Sequence, residues 1–330
     1  MNDAYAVIVQ WWRERNIQTE AELSEILNGT GVLFAYHSGR LENERVTWND
    51  TREIFDRDGV TNYTGDLRTL FEIRNAKSAY EYFLKAFGER RPLDEAFLLR
   101  LQKLLTRNTY DARRYALGER PGTWKKHDFV TGRHEIGAAP GDTAEEVAEL
   151  LDELRQIPPS FPPSAPPETL SPSATPEKIQ LEQLRGLCRP PERGEMSRSD
   201  RGGENAPPPG ATRHPPPKGE GLDAQTLPPE KILTAAAYFH AKLENIHPFA
   251  DGNGRTGRLA MNYFLVTRNH PPIVVHEDER AAYYAALEAW DIAQSLTPMR
   301  DFLTAQSVRT WAARVTASGN GDSPRLRDFL

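Results

Sequence analysis

Residues 247–258 carry the side chains in this sequence that are best suited to chemistry. They supply an imidazole, a carboxylate, two guanidinium groups and a turn that contains two glycines. The residues concerned are His247, Asp251, Gly252, Asn253, Gly254, Arg255 and Arg258. An imidazole can accept a proton, a carboxylate can hold Mg²⁺, and guanidinium and backbone N–H groups bind phosphate. The stretch therefore predicts a site that binds a metal-bound polyphosphate and removes a proton beside it.

Two predicted helices must position these groups. Apolar residues recur at helical spacing upstream of His247, so this residue is expected to end an amphipathic helix. Pro248 cannot continue that helix and forces a tight loop. A second helix is predicted downstream, which puts residues 252–254 at a helix N-terminus, where free N–H groups favour an anion. Arg255 and Arg258 are three residues apart and are expected to share one face of this second helix.

The same glycines also spell a dinucleotide-binding pattern. Gly252, Gly254 and Gly257 fit G-x-G-x-x-G, and Glu277 follows at about the distance of the acidic residue in that fold. That pattern requires a buried strand directly before the first glycine. Residues 242–247 are polar and helical in character, so the sequence argues against a dinucleotide fold.

The stretch fits H-x-F-x-[DE]-G-N-G-R-x-x-R, and in this it resembles the Fic family of nucleotidyltransferases. The resemblance implies a mainly α fold, in which a helical bundle carries a small β-hairpin flap upstream of the motif. Residues 126–138 have turn and strand signals that favour a short hairpin at this place. In the family the flap aligns the target polypeptide by main-chain pairing, a role that falls here to Ile136, Gly137 and Ala138.

The resemblance also implies a reaction, the transfer of AMP from ATP to a Ser, Thr or Tyr hydroxyl of a target protein. His247 would be the base and Asp251 the Mg²⁺ ligand. The nucleotide would be bound by Gly252, Asn253, Gly254, Arg255, Arg258, Tyr283 and Tyr284, with the tyrosine pair at the adenine. Two positions depart from the family's frequent residues: Lys125 stands near the flap in place of arginine, and Asp291 stands in place of asparagine.

A second signature lies far upstream. Ser38 and Glu42 fit [ST]-x-x-x-E-[GN], the inhibitory motif of Fic proteins, and its position resembles the branch with an N-terminal inhibitory helix in the same chain. Residues four apart share a helix face. The resemblance implies that Glu42 pairs with Arg258 and keeps it from the γ-phosphate of ATP.

Outside the motif, hydrophobic periodicity predicts an almost entirely helical chain. The expected amphipathic helices are 5–15, 67–87, 93–105 and 144–154. Thr19 and Glu22 fit a capping box that begins a further helix reaching Leu27.

Composition divides the chain into five parts. Residues 1–62 form an N-terminal helical region with the inhibitory motif, and residues 63–157 form the first part of the core with the flap. Residues 158–229 hold 18 of the 26 prolines and are predicted to be a disordered insertion. Residues 230–318 form the second part of the core, and residues 319–330 form a tail.

The net charge and the cysteine content limit which partners and which compartment are expected. The net charge of −6 gives no general basic field, so direct binding to nucleic acid is not expected. A single cysteine, Cys188, fits a reducing compartment, and no apolar run suits a membrane span. The expectation is a cytoplasmic protein whose partners are ATP and a target protein, and the sequence leaves open whether it forms a homodimer.

Two alternatives to AMP transfer stay open at this stage. The same site could chiefly remove AMP, with Glu42 activating water, and some relatives do both. The chain could instead bind ATP without transfer and act as a scaffold that presents its proline-rich arm. The presence of His247 and Asp251 argues against a scaffold, because a pure binder needs neither.

Overall fold

The structure, a computed structural model, describes residues 3–129, 137–160 and 227–318. Within these segments the chain is helical and contains no strand. The α-helices are α1 (Asp3–Arg13), α2 (Glu20–Ile26), α3 (Thr30–Glu42), α4 (Trp48–Arg57), α5 (Leu67–Gly88), α6 (Glu95–Leu105), α7 (Ala112–Ala116), α8 (Thr143–Arg155), α9 (Pro229–Ile246), α10 (Asn253–Thr267), α11 (Arg280–Ala293) and α12 (Thr297–Ser318). A 3₁₀ turn, Glu277–Glu279, precedes α11. The predicted mainly α fold class is confirmed for the described residues.

The predicted helices occur, with ends that differ by a few residues. Local capping explains several of the observed starts. In α2 the Thr19 hydroxyl accepts from the Glu22 N–H while the Glu22 carboxylate accepts from the Thr19 N–H, so the capping box has formed. Asp66 caps α5 and Asp94 caps α6 by the same kind of side-chain contact, which moves the start of α6 two residues beyond the predicted one.

Two predictions fall largely outside the described residues. The flap hairpin was placed at 126–138, and residues 130–136 are not among those described, so the hairpin stays a prediction. The predicted disordered insertion contains residues 161–226, which also lie outside them. At its two edges the described chain belongs to the folded body, since the Ser160 N–H donates to the Thr267 carbonyl at 2.8 Å and Leu227 is buried.

The two helices that flank the motif form the centre of the bundle. Helix α9 packs along α10, and both are lined with buried apolar side chains such as Phe239, Leu243, Leu259 and Phe264. Helix α3 packs against both α5 and α10. The N-terminal region therefore reaches the motif directly, although more than 200 residues separate them in sequence. Among the described residues, no helix has the length and apolar character needed to cross a membrane.

Candidate active site

His247 is held where α9 ends. Its backbone has a left-handed φ of 51°, and its N–H donates to the Leu243 carbonyl at 3.0 Å, which closes the last turn. The next carbonyl, of Pro248, accepts from the Lys125 N–H at 2.9 Å. The preceding carbonyl, of Ile246, accepts from the Ala138 N–H at 3.0 Å. The loop beyond the helix is therefore fixed from both sides by the segment that borders the predicted flap.

The His247 imidazole is neutral near pH 7. Burial and, to a smaller extent, the neighbouring Lys125 ammonium lower its pKa to about 4, and the Glu244 carbonyl acts in the opposite sense. Lys125 is itself 2% exposed, and burial lowers its pKa as well. A neutral ring has a lone pair that can accept a proton. The arrival of an anionic ligand would raise the pKa of this ring towards the working range of a base.

The turn that follows is built to expose backbone N–H groups. Gly252 has a φ of 84°, and a Cβ added there would lie 2.6 Å from Cγ2 of Thr106. Asn253 begins α10 and ties the turn to Phe249 twice: its Oδ1 accepts from the Phe249 N–H at 2.9 Å, and its Nδ2 donates to the Phe249 carbonyl at 2.8 Å. The amide side chain thus shapes the loop, and the helix N-terminus faces the cavity.

Asp251 lies at the centre of a cluster of arginines. Arg68 donates to its Oδ2 at 3.0 Å, Arg255 donates to its Oδ1 at 3.4 Å, and an Arg114 nitrogen is 3.8 Å from Oδ2. Its main-chain carbonyl accepts from Gln102 at 2.9 Å. The sequence predicted Asp251 and Arg255 here but missed Arg68, Arg114 and Gln102, which come from distant segments without a recognisable motif.

A magnesium ion suits this carboxylate. No group of three or more His, Cys, Asp or Glu side chains in the described parts of the chain could hold a metal by itself. Mg²⁺ commonly uses one or two carboxylates together with substrate phosphates, so a single Asp251 on the cavity wall meets that requirement.

Arg258 is buried and engaged by three residues. Its Nε donates to Ser38 Oγ at 2.9 Å, its Nη2 donates to the Ser38 carbonyl at 3.0 Å and to Glu42 Oε1 at 2.8 Å, and its Nη1 donates to the Tyr283 hydroxyl at 3.2 Å. Burial acts to lower the pKa of Arg258, but Tyr283, Glu42 and Glu244 outweigh it and raise the pKa. Arg255 instead points towards Asp251 and Glu72, so the two arginines are held by different partners.

These groups surround a cavity of about 780 Å³. Its walls include His247, Asp251, the 252–254 turn, both motif arginines, and Glu42. Tyr283 and Tyr284 line it from α11; Tyr283 is buried, whereas Tyr284 is 40% exposed. Ser38 reaches the site through Arg258 rather than by lining the cavity. Of the predicted flap residues, Gly137 and Ala138 lie beside the end of α9 and Ile136 falls outside the described residues.

The sequence motif does not predict Glu244, which lines the cavity, or His240, which is buried behind Tyr283. They lie three and seven residues before His247, spacings that place residues on one face of a helix, and this was the available signal. The Tyr283 hydroxyl is 2.8 Å from His240 Nε2. Burial raises the pKa of Glu244 to about 8, and Arg258 acts to lower it.

Comparisons of sequence and of structure both match this chain to Fic proteins. Residues 177–265 match the profile described as Fic/DOC family. The protein adenylyltransferase Fic of Drosophila persimilis is 51% identical over 53 residues, which are 16% of this chain and 10% of that protein. The protein adenylyltransferase fic-1 of Caenorhabditis briggsae is 38% identical over 101 residues, 28% of this chain and 20% of that protein. The alignments thus span a tenth to a fifth of these relatives.

Solved structures match over nearly the whole chain. A Fic domain containing signaling protein from Bacteroides thetaiotaomicron has a TM-score of 0.61 at 18% identity, and the match covers 98% of this chain and 99% of that one. A Fic family protein from Desulfovibrio desulfuricans G20 has a TM-score of 0.58 at 20% identity, with 97% and 75% covered. These likenesses establish a Fic-type helical fold. Residues 177–265 are thus similar in sequence to the Fic/DOC family, and the described parts of the chain share the fold of Fic proteins.

Proposed function

We propose that this protein transfers AMP from ATP to a hydroxyl group of a target protein and that Glu42 holds it inactive. The observation that carries the proposal is that a neutral, buried imidazole and a glycine-rich helix N-terminus open onto one cavity. The first group can accept a proton and the second can bind phosphate. The names of the partial-length relatives support the choice of AMP as the transferred group.

In the reaction, His247 takes the proton from a Ser, Thr or Tyr hydroxyl of the target. The hydroxyl oxygen forms a bond to the α-phosphorus of ATP, and the bond from that phosphorus to the oxygen bridging to the β-phosphorus breaks. Pyrophosphate leaves with the electron pair. The N–H groups at 252–254, together with Arg255 and Arg258, stabilise the charge on the phosphates. Mg²⁺ held by Asp251 would neutralise part of that charge.

Glu42 inhibits the enzyme through its contact with Arg258. While its Nη2 donates to Glu42, the guanidinium cannot direct the same hydrogen to a phosphate. Holding about 99% of the molecules silent requires a bias of about 2.7 kcal/mol, since 1.4 kcal/mol is a factor of ten. Hydrogen bonds to charged groups contribute about 1.5–3 kcal/mol each. The Glu42 and Ser38 contacts together are therefore sufficient for such a bias.

The test is labelling with ATP that carries the isotope at the α-phosphate, in a lysate of the source organism with Mg²⁺. The proteins compared are the wild type, Glu42→Gly, and Glu42→Gly/His247→Ala. We expect labelled protein bands with Glu42→Gly alone. Equal labelling by the wild type would remove the inhibitory role of Glu42, and labelling that survives His247→Ala would remove the role of the imidazole.

A second activity at the same site is supported by the exposure of Glu42. Its side chain is 35% exposed and lines the cavity, so the carboxylate can also accept a proton from water. That water would attack the phosphorus of an AMP-modified target, and the target oxygen would leave with a proton from protonated His247. The test is release of AMP from a modified target by the wild type, with Glu42→Gln as the variant that should lose this activity.

A further inference from the structure

Glu244 is a partly buried acid on the wall of the site, and the reaction above does not use it. It lines the cavity from α9, three residues before His247, and its Oε1 is buried without a hydrogen-bond donor. A Cβ added to Gly257 would lie 2.6 Å from this oxygen, so the carboxyl group packs directly against α10. A charged oxygen buried without a donor is strongly disfavoured, whereas a neutral carboxylic acid is tolerated there.

The charges that act on Glu244 are those of two carboxylates, Glu42 and Asp291, and of one guanidinium, Arg258. Arg258 is itself hydrogen-bonded to Glu42. The titratable and charged groups that face Glu244 are Glu42 on α3, His240 and His247 on α9, Arg258 on α10, and Tyr283, Tyr284 and Asp291 on α11. Arg258 is therefore ion-paired with Glu42 on a separate helix, and the charge of a second carboxylate, Glu244 on α9, also acts on it.

Glu42 and Glu244 differ in whether they can move away from Arg258 when a nucleotide binds. Glu42 is 35% exposed and ends α3, so it can withdraw towards solvent. Glu244 lies within α9 and cannot leave. If Glu244 were ionised after Glu42 withdrew, its negative charge would still act on Arg258, and the polyphosphate would meet that charge on the cavity wall.

We propose that Glu244 is a positioning residue that must be a neutral acid when the nucleotide binds, so that Arg258 can exchange Glu42 for a polyphosphate. This rests on the proposed function of the site. The proposal requires that protons balance. In any molecule where Glu244 is ionised, the Glu244 carboxylate takes up one proton from solvent when the nucleotide binds.

The direction of the pKa of Glu244 agrees with this role. The pKa is raised to about 8: burial is the main cause, Arg258 acts to lower it, and Glu42 and Asp291 act in the same direction as burial. Removing Glu42 removes one of the charges that raise the pKa. In Glu42→Gly a larger share of Glu244 is therefore ionised near neutral pH, and the proton taken up on nucleotide binding becomes measurable.

The experiment is calorimetric titration of the full chain with ATP and Mg²⁺ between pH 7 and 9, in two buffers with different heats of ionisation. It compares Glu42→Gly with Glu42→Gly/Glu244→Gln, in which the same shape is permanently neutral. For Glu42→Gly we expect proton uptake that approaches one as the pH rises, and a Kd that weakens about tenfold per pH unit above the pKa. For the double variant we expect proton uptake and the pH dependence of Kd to be smaller by the part due to Glu244. Protons of the nucleotide itself contribute equally to the two proteins and cancel in this comparison.

Equal proton uptake by the two variants would overturn the proposal. So would loss of ATP affinity in Glu244→Gln at every pH, because that would show that the ionised form is needed. If the Gln variant does not fold, Glu244→Met provides a neutral side chain of similar length. ATP binding with proton uptake but no AMP transfer would refute the proposed function alone, whereas absence of ATP binding by Glu42→Gly would refute both.

Discussion

Arg258 and Glu42 lie 216 positions apart in sequence and form an ion pair at 2.8 Å on the wall of the cavity. The two sides of the pair differ in exposure: the guanidinium is 1% exposed and the carboxylate 35%. The arginine is therefore fixed, and the glutamate is the partner that can move. Asn43, the next residue, donates to Thr69 and to Glu72, so α3 is fastened to α5 immediately beyond the pair.

Ser38, the serine of the inhibitory motif, should contribute to the strength of the inhibition. Ser38→Ala removes the Oγ acceptor of Arg258 Nε and leaves the main-chain contact and Glu42 in place. Since a hydrogen bond to a charged group contributes about 1.5–3 kcal/mol, we expect labelling with α-labelled ATP to rise, but less than in Glu42→Gly. Ser38→Thr keeps the hydroxyl and serves as the matched control. Wild-type activity in Ser38→Ala would show that the Ser38 carbonyl and Glu42 hold Arg258 without the hydroxyl.

The amide of Asn253 should determine the shape of the phosphate-binding turn. Both its donor and its acceptor are used by Phe249. Asn253→Ala leaves two buried backbone groups unpaired, and we expect a loss of about 1–3 kcal/mol in the free energy of unfolding for each group, together with weaker ATP binding. Asn253→Asp is the informative companion, since it keeps the acceptor and loses the donor. Urea denaturation and nucleotide titration measure the two effects, and an unchanged ATP affinity in both variants would contradict this account.

Gly252 should be intolerant of a side chain for two separable reasons. Its φ of 84° is left-handed, which costs other residues about 1–2 kcal/mol, and its Cβ would lie 2.6 Å from Thr106 Cγ2. Gly252→Ala should therefore lower the free energy of unfolding by more than the backbone cost. Adding Thr106→Ser removes the methyl group but keeps the hydroxyl that donates to Gln102. The double variant should recover the steric part, and thermal unfolding that shows no recovery would remove the steric explanation.

Acid should destabilise the fold through its buried histidines. Burial lowers the pKa of His247 to about 4 and that of His240 to about 3, against about 6.5 in an unfolded chain. Between these values the unfolded state binds more protons than the folded state. These histidines therefore leave the free energy of unfolding at its full value above pH 6.5. As the pH drops from 6.5 towards 4, the free energy of unfolding falls by up to about 1.4 kcal/mol per histidine and pH unit. Urea denaturation over this range measures the slope.

His247→Ala provides the comparison for the acid effect. It removes one of the rings whose pKa is lowered, so its slope below pH 6.5 should be shallower than that of the wild type, while the contributions of His240 and of the other histidines with a lowered pKa, His37, His270 and His276, remain. An identical slope in the two proteins would show that protonation of His247 does not contribute to acid unfolding.

The motif and the elements beside it could be predicted from sequence because they depend on local chemistry. Pro248 had to end α9, Thr19 with Glu22 had to cap α2, and the glycine at 252 had to sit at a turn. The residues that complete the site could not be predicted in this way. Arg68 and Arg114 carry no spacing signal, and they reach Asp251 only because α5 and the segment around α7 pack beside the motif.

Glu244 shows a different limit of sequence reasoning. Its spacing from His247 was visible, but a glutamate on an amphipathic helix is usually exposed to solvent. Its burial depends on Gly257, which lets α9 and α10 approach closely at that level. Helix packing, and not the local pattern, therefore decides that this acid belongs to the site.

The most direct test of the central claim is the position of the isotope that reaches the acceptor. Purified Glu42→Gly is incubated with an acceptor protein, Mg²⁺ and ATP labelled at either the α- or the γ-phosphate. AMP transfer predicts acceptor labelled from α-labelled ATP and unlabelled from γ-labelled ATP, with loss of the signal on adding His247→Ala. Label from the γ-position would contradict the account, because it would show phosphate transfer from ATP bound in the opposite direction.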